Sequence, residues 1–203
     1  MMQPFSTVTG VAAPMPSANI DTDVIMPKQF LKGVDRGGLR DGTFHGLRFD
    51  PTGGERPDFV LNRAGWRDAK FLVVGPNFGC GSSREHAVWG LGQLGIRGLI
   101  GTSFAGIFFD NCVRNGLLAV TLDAEVVTYL SRLATDPATA VLAVDLPGQS
   151  IVTSDGQSFP FAVDPGQKEA LVLGLDAIGS TLKHREEILS FEQTHLRQNP
   201  WLA

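Results

Sequence analysis

The chain has 203 residues, 43% hydrophobic and 19% charged, with 17 basic against 21 acidic side chains for a formal charge of −4. A chain of this length buries about 70% of its unfolded surface and needs no disulfide or metal to hold it together, and its composition is far from that of disordered chains. Lys and Arg are dispersed and the first cation is Lys28, so no nucleic-acid partner, membrane surface or basic leader is expected, and no apolar run reaches the length of a membrane span.

Residues 1–18 are small, polar or proline-containing and read as an N-terminal arm or an irregular first strand. From Asn19 to Arg40 the stretch NIDTDVIMPKQFLKGVDRGGLR shows neither helical nor strand periodicity over most of its length. Such a segment inside a compact domain is uncommon unless it is functional. Asp41–Asp68 is rich in Gly and Pro and reads mostly as loop. Phe71–Gly75 is a short β-branched strand, and Ser83–Leu94 a helix with Ala87, Leu91 and Leu94 on one face. Gly95 is its expected C-cap. Arg97–Gly101 predicts a strand, Phe104–Arg114 a helix stopped by Asn115-Gly116, and Leu117–Leu122 another strand, after which Asp123 caps a helix running towards Ala134. That alternation predicts right-handed crossovers and a largely parallel sheet.

Beyond Asp136-Pro137 the pattern changes. Ala140–Leu146 and Ser150–Val163 read as strands with a hairpin turn at Asp155-Gly156. Residues 165–203 read as a helical tail with a break near Gly179. Its segment TLKHREEILSFEQTHL is amphipathic but sparingly apolar, as expected of a helix lying on a surface, its own or a partner's. The whole of 1–203 reads as a single domain.

The sharpest motif is Gly79-Cys80-Gly81-Ser82-Ser83-Arg84-Glu85-His86, between a strand and a helix. It is not a Walker A loop, because Gly81 stands where Lys is required before the hydroxyl residue. It is not a dinucleotide fingerprint, because Arg84 replaces the third glycine, and it is not a nucleophile elbow, because Arg84 and Glu85 stand two residues after the serines. What remains is a glycine-lined turn presenting two hydroxyls and a guanidinium at a helix N-terminus. The dipole and free N–H groups there favour anions, and Arg84 can grip a carboxylate with two parallel hydrogen bonds. The same Ser82-x-x-Glu85 spacing is also that of a capping box, a purely structural device; one serine could cap while the other faces a ligand. Asp21-Thr22-Asp23, with Lys28 and Arg36 downstream, is equally open to two readings, a turn or helix cap on one side and a ligand site on the other. His86 reads as a helix-face residue.

The two cysteines, Cys80 and Cys112, point to reduced thiols and a cytoplasmic setting. Neither lies in a CxxC pair or at ligand spacing from a His, so this chain is not expected to hold a metal or an iron–sulfur cluster through its own cysteines.

Together the blocks NIDTDVIMPKQFLKG, NFGCGSSREHAVWGL, SFAGIFFDNCVRNGLL and GLDAIGSTLKH resemble, in order, the mobile swivel domain of the aconitase superfamily, from Asn19 to His184. The short separate chain, the PKQFLKG form and the GLDAIGSTL ending are similar to the small subunits of 3-isopropylmalate dehydratases. The resemblance implies an α/β swivelling β/β/α domain, its mostly parallel sheet curling into a barrel with outer helices and a C-terminal helical tail. It implies a hydro-lyase of leucine biosynthesis that interconverts 2-isopropylmalate and 3-isopropylmalate and is active only with a large subunit, whose three cysteines hold a 4Fe–4S cluster with one open iron. It further implies Ser82 as the base beside a substrate carboxylate, Arg84 as the carboxylate clamp and Ser83 as an orienting hydroxyl. Thr22 and Asp23 match the family's pair near the active site. Arg36 is a looser match to a substrate-binding arginine, and the loop from Lys28 to Arg40 shapes specificity. Met26, in place of the more usual Ile, and Pro76-Asn77 depart from the pattern without touching these groups. The alternatives are a sister hydro-lyase acting on homoaconitate, methylmalate or dimethylmalate, an anion-binding module that lost catalysis, and, more weakly, a free-standing hydrolase using Ser82.

Overall fold

Seven strands, β1 (Thr7–Met15), β2 (Phe71–Val74), β3 (Gly98–Gly101), β4 (Leu118–Thr121), β5 (Val141–Asp145), β6 (Ser150–Thr153) and β7 (Ser158–Pro160), form one sheet in the order β4-β3-β2-β1-β5-β6-β7. This is the arrangement in the computed structural model, which describes residues 2–32 and 37–202. The expected parallel sheet is present as β4-β3-β2-β1. The chain's second half adds β5, β6 and β7, each paired antiparallel to its neighbour, so the sheet as a whole is mixed rather than mostly parallel. β4 and β7 are its two ends, and Thr121, Leu122, Pro160 and Phe161 at those ends line one cavity of about 450 Å3. The sheet curls towards a barrel without closing.

Alternation along the strands sorts the core onto two faces. Leu72 and Val74 of β2 join Ala13, Leu99 and Ala119 in a cluster covered by α4 (Glu85–Leu94) and α5 (Gly106–Arg114), through Ala87, Leu91, Phe108 and Cys112. Phe71 and Val73 turn the other way, into a cluster with Ile100, Leu118, Leu142 and Ile151 that α6 (Ala124–Leu133) covers with Val127 and Leu130. Each such apolar side chain contributes about 1.5–3 kcal/mol on burial, and β2 contributes to both faces.

The segment read as an arm or an irregular first strand is a strand, and it is the central one of the sheet. β1 pairs with β2 over Ala12–Met15 and with β5 over Thr7–Val11. Ala12 N donates to Ala140 O at 2.8 Å; Pro14 follows on the same side, beyond the last residue paired with β5, where its missing N–H costs no ladder bond.

Helices begin later than expected. α4 starts at Glu85 with Arg84 as N-cap, and α5 at Gly106 with Ala105 as N-cap. The C-caps Gly95 and Asn115 stand where the sequence puts them. Asp123 is the N-cap residue of α6 but makes no side-chain capping bond. Among its described residues the stretch 19–68 holds short helical turns, α1 (Thr22–Ile25), a 3-10 turn at Lys28–Phe30, α2 (Leu39–Gly42), α3 (His45–Arg48) and a 3-10 turn at Val60–Asn62, with isolated bridges pairing Asp21 with Cys80 and Phe49 with Glu55. The tail divides into α7 (Pro165–Leu173), α8 (Ala177–Leu182) and α9 (Arg185–Gln198). Its break is not at Gly179, which lies inside α8. Gly174 closes α7 in the left-handed region, and Asp176 opens α8 by accepting from Gly179 N at 2.7 Å. No residue of α9 is buried. Among the described residues no helix is long and apolar enough to cross a membrane.

Candidate active site

The site is built where the chain leaves the carboxyl ends of β1 and β2, neighbouring parallel strands. Ligand crevices of open α/β sheets lie at such ends. The two outgoing segments are laced together by backbone and side-chain bonds. Asn19 N donates to Pro76 O at 2.9 Å, Gly79 N to Ile20 O at 2.8 Å and Thr22 N to Cys80 O at 2.8 Å. Asn77 Nδ2 donates to Asn19 Oδ1 at 2.8 Å. The two motifs that the sequence keeps about sixty residues apart, Asp21-Thr22-Asp23 and Gly79–Arg84, are thereby one structure.

Gly79 and Gly81 make the turn possible. Both have positive φ, 77° and 91°, a region that costs a residue with a Cβ about 1–2 kcal/mol. A Cβ on Gly79 would also stand 2.1 Å from the Phe108 ring. After Gly81 the chain presents Ser82 and Ser83, both exposed, and then Arg84, which is only 9% exposed.

Among the described residues no side chain caps α4. The capping-box reading of Ser82 and Glu85 is therefore not what the structure holds: the helix starts too late, and the Glu85 carboxylate instead accepts from Asn115 Nδ2 at 3.1 Å at the end of α5. Trp89 Nε1 donates to the same Asn115 side chain at 2.7 Å. His86 packs against Trp89 with ring centres 4.6 Å apart, as a helix-face residue.

In the other motif the helix-cap reading is seen directly. Asp21 caps α1, accepting from Val24 N at 2.7 Å. Thr22, 1% exposed, donates its hydroxyl to the Ser82 carbonyl at 2.8 Å. Asp23 Oδ1 meets Arg84 Nη1 at 2.5 Å, and the same nitrogen lies 3.4 Å from Met26 O. The hydrogen bond from Arg84, joined by the positive charges of Arg84 and Lys28, holds the Asp23 carboxyl below its ordinary value. A buried guanidinium, fixed by Asp23, thus follows directly after two exposed serines in the chain, and a guanidinium is a group able to clamp a carboxylate.

Of the residues expected here, Ser82, Ser83, Arg84, Thr22 and Asp23 come together. Lys28 is exposed on its 3-10 turn and reaches Asp23 through its charge. Arg36 lies outside the described residues. Sequence reading misses Asn19 and Asn77, whose paired side chains join the two loops; both have positive φ, 57° and 56°. The available signal is the residue type, since Asn is enriched in that region. Cys80 is half-buried and Cys112 buried, both free, and burial pushes the Cys112 thiol well up. Among the described residues no three His, Cys, Asp or Glu side chains gather as a metal-binding group.

The family model for the aconitase C-terminal domain matches residues 2–125, one labelled LeuD_N matches 130–165, and that for the C-terminal domain of the 3-isopropylmalate dehydratase small subunit matches 178–203. A "3-isopropylmalate dehydratase small subunit 1" from Mannheimia succiniciproducens is 56% identical, over 99% of both chains. A "3-isopropylmalate dehydratase small subunit" from Cereibacter sphaeroides is 52% identical over 99% of this chain and 100% of its own. The fold is shared with the crystal structure titled 3-isopropylmalate dehydratase (leuD) from Methanocaldococcus jannaschii, with a TM-score of 0.66 at 24% identity, over 92% of this chain and 99% of that one. With the α/β fold, the laced GSSRE loop and these full-length likenesses in agreement, the chain belongs to the 3-isopropylmalate dehydratase small-subunit family of the aconitase superfamily.

Proposed function

We propose that this chain is the base-and-clamp half of a two-subunit hydro-lyase that interconverts 2-isopropylmalate and 3-isopropylmalate through isopropylmaleate, in leucine biosynthesis. The observation that carries the reading is the buried Arg84, held by Asp23 and preceded along the chain by two exposed serine hydroxyls. Dehydrating a hydroxy diacid requires loss of a weakly acidic C–H proton beside a carboxylate. In this reading Ser82 acts as its alkoxide, its own proton having been lost to solvent beforehand, and takes the C–H proton to become the hydroxyl again; Ser83 orients the substrate, and Arg84 meets the negative charge that builds on the carboxylate. Asp23 is a positioning residue for Arg84, and Thr22 for the Ser82 backbone. Lys28, whose charge acts on Asp23, and Arg36, which lies outside the described residues, are further substrate-binding cations in this reading.

A general base supplies about 10²–10⁴-fold, and the departing hydroxide needs a Lewis acid as well. Two cysteines cannot furnish the three thiolates of an open-iron cluster, and Cys112 is fully buried. The residues of this chain do not fit a 4Fe–4S cluster, and we assign it to the large subunit. Free thiols and the chemistry of the pathway accord with a cytoplasmic setting. The names of the relatives favour isopropylmalate over the homoaconitate, methylmalate and dimethylmalate alternatives.

The test is an anaerobic assay with 3-isopropylmalate, following the ultraviolet absorbance of the unsaturated product. The chain alone should be silent, and its mixture with a cluster-loaded large subunit from a relative's enzyme should be active. Silence of the mixture with an intact cluster, together with activity on one of the sister substrates, would overturn the assignment.

A further inference from the structure

Beside the serine loop lies a cleft with one acidic wall and one apolar wall. It is lined by Asp21, Asp23, Val24, Pro27, Gly46 and Leu47 and has a volume of about 300 Å3, the lower end of the range for small-ligand pockets. The acidic wall is shared with the loop. Asp23 meets Arg84, and Asp21 pairs with Cys80 through an isolated bridge, its Cβ 3.5 Å from the place that a Cβ on Gly81 would take. Thr22, between the two aspartates, holds the Ser82 carbonyl. The cleft therefore begins where the Ser82–Arg84 segment is anchored.

The apolar wall comes from two short helices. Val24 lies in α1 and Pro27 just before the 3-10 turn, while Gly46 and Leu47 belong to α3. The two helices are joined where Phe44 N donates to Ile25 O at 2.8 Å. Leu47 leaves 36% of its surface exposed, and Gly46 keeps the space beside it open, since nothing stands within 4 Å of a Cβ placed there. Lys28 acts on Asp23 through its charge, but neither Lys28 nor Arg84 lines the cleft. Arg48, next to Leu47, bonds instead to Arg40 O and Thr43 O at 2.7 and 3.2 Å. Among the described residues the lining thus holds two carboxylates, three apolar side chains and no cation.

We propose that this cleft takes the alkyl substituent of the substrate, with Leu47 as a specificity-determining residue; the proposal rests on the hydro-lyase reading above. A branched alkyl group gains by leaving water against Val24, Pro27 and Leu47. A third carboxylate in the same place would lose its hydration beside Asp21 and Asp23 with no cation to meet it, which selects against it. A single methyl group buries less apolar surface and gains less. The class selected is a 2-hydroxy diacid with a branched apolar substituent, ahead of homoaconitate with its third carboxylate and of methylmalate. Leu47 lies beyond the loop from Lys28 to Arg40 to which the resemblance assigns specificity.

The experiment measures kcat and KM of the assembled, cluster-loaded enzyme for 3-isopropylmalate, methylmalate and homoaconitate, with the unaltered chain, Leu47→Ala and Leu47→Arg. Leu47 is at the surface, so both variants should fold and assemble, which Tm and complex formation check on the same samples. Leu47→Ala should raise KM for 3-isopropylmalate about tenfold at unchanged kcat, because an apolar contact of this kind is the same in ground and transition states. Methylmalate should move much less. Leu47→Arg should raise kcat/KM for homoaconitate relative to 3-isopropylmalate, a cation now meeting the third carboxylate. Unchanged ratios, or equal changes on all three substrates, would overturn the pocket assignment while leaving the hydro-lyase reading, which turnover by the unaltered enzyme decides on its own. Weaker assembly of Leu47→Ala at an unchanged substrate ratio would overturn it too, giving the cleft to a side chain of the large subunit. A preference of the unaltered enzyme for homoaconitate would overturn both.

Discussion

The Arg84 guanidinium and the Asp23 carboxylate meet at 2.5 Å, although the arginine side chain is 8% exposed and the aspartate 46%. The pair is asymmetric: a buried cation is held by an anion whose other side faces solvent. Asp23→Asn should therefore leave the fold intact but release Arg84 from its set position. The expected loss in kcat/KM of the assembled enzyme is on the order of 10²-fold, the scale of a small misplacement in an active site. Unchanged kinetics would remove Asp23 from the positioning role.

The same pair predicts a pH dependence. The folded Asp23 carboxyl titrates below its ordinary value of 3.8 because Arg84 bonds to its charged form. A depressed folded value means that the contribution to stability is present above 3.8 and is lost as pH falls through the lower, folded value. An NMR titration of the Asp23 carboxyl carbon should give a midpoint below 3.8, moving up in Arg84→Met. A midpoint at 3.8 or above in the unaltered chain contradicts the pairing in solution.

Thr22 contributes through one bond, its buried hydroxyl to the Ser82 carbonyl. Thr22→Val keeps the shape and removes the donor, so stability should fall by about 1 kcal/mol. Because that carbonyl belongs to the proposed base, kcat should drop more than KM rises. Equal stability and equal kcat would mean that the loop holds itself.

The two glycines of the turn should differ in their response to alanine. At Gly81 the nearest atoms to a new Cβ are 3.5 Å away, and only the positive φ is strained, at about 1–2 kcal/mol. At Gly79 the same strain is joined by collision with the Phe108 ring, and overpacking adds about 1–3 kcal/mol. Chemical denaturation should rank Gly79→Ala as the more damaging; the reverse order contradicts the described loop.

How much of this can be read from the sequence follows from what is local. The strand FLVVG, the helix ending at Gly95 and the strand LLAVTL announce themselves through short-range periodicity and caps, and the structure has β2, α4 and β4 there. β1 is illegible as a central strand because TVTGVAAPM carries a glycine, two alanines and a proline. Only the place where its pairing with β5 ends makes Pro14 acceptable. The break in the tail is misplaced because Gly179 looks like punctuation, whereas Asp176 holds its N–H inside a helix. At the site the residue types are legible but their meeting is not. Nothing in either motif says that Asp23 will reach Arg84 or that Thr22 will hold Ser82; that comes from β1 and β2 lying side by side. The delayed start of α4, which frees the serines from capping, is equally a tertiary effect.

The most direct measurement is turnover of Ser82→Ala in the assembled, cluster-loaded enzyme, with complex formation and Tm measured on the same sample. Ser82 is exposed, and the bond that fixes it uses its carbonyl, which alanine keeps. Assembly and stability should be unchanged, while turnover falls by about 10²–10⁴-fold, the scale of a lost general base. Turnover near that of the unaltered enzyme would contradict the assignment of proton transfer to this chain.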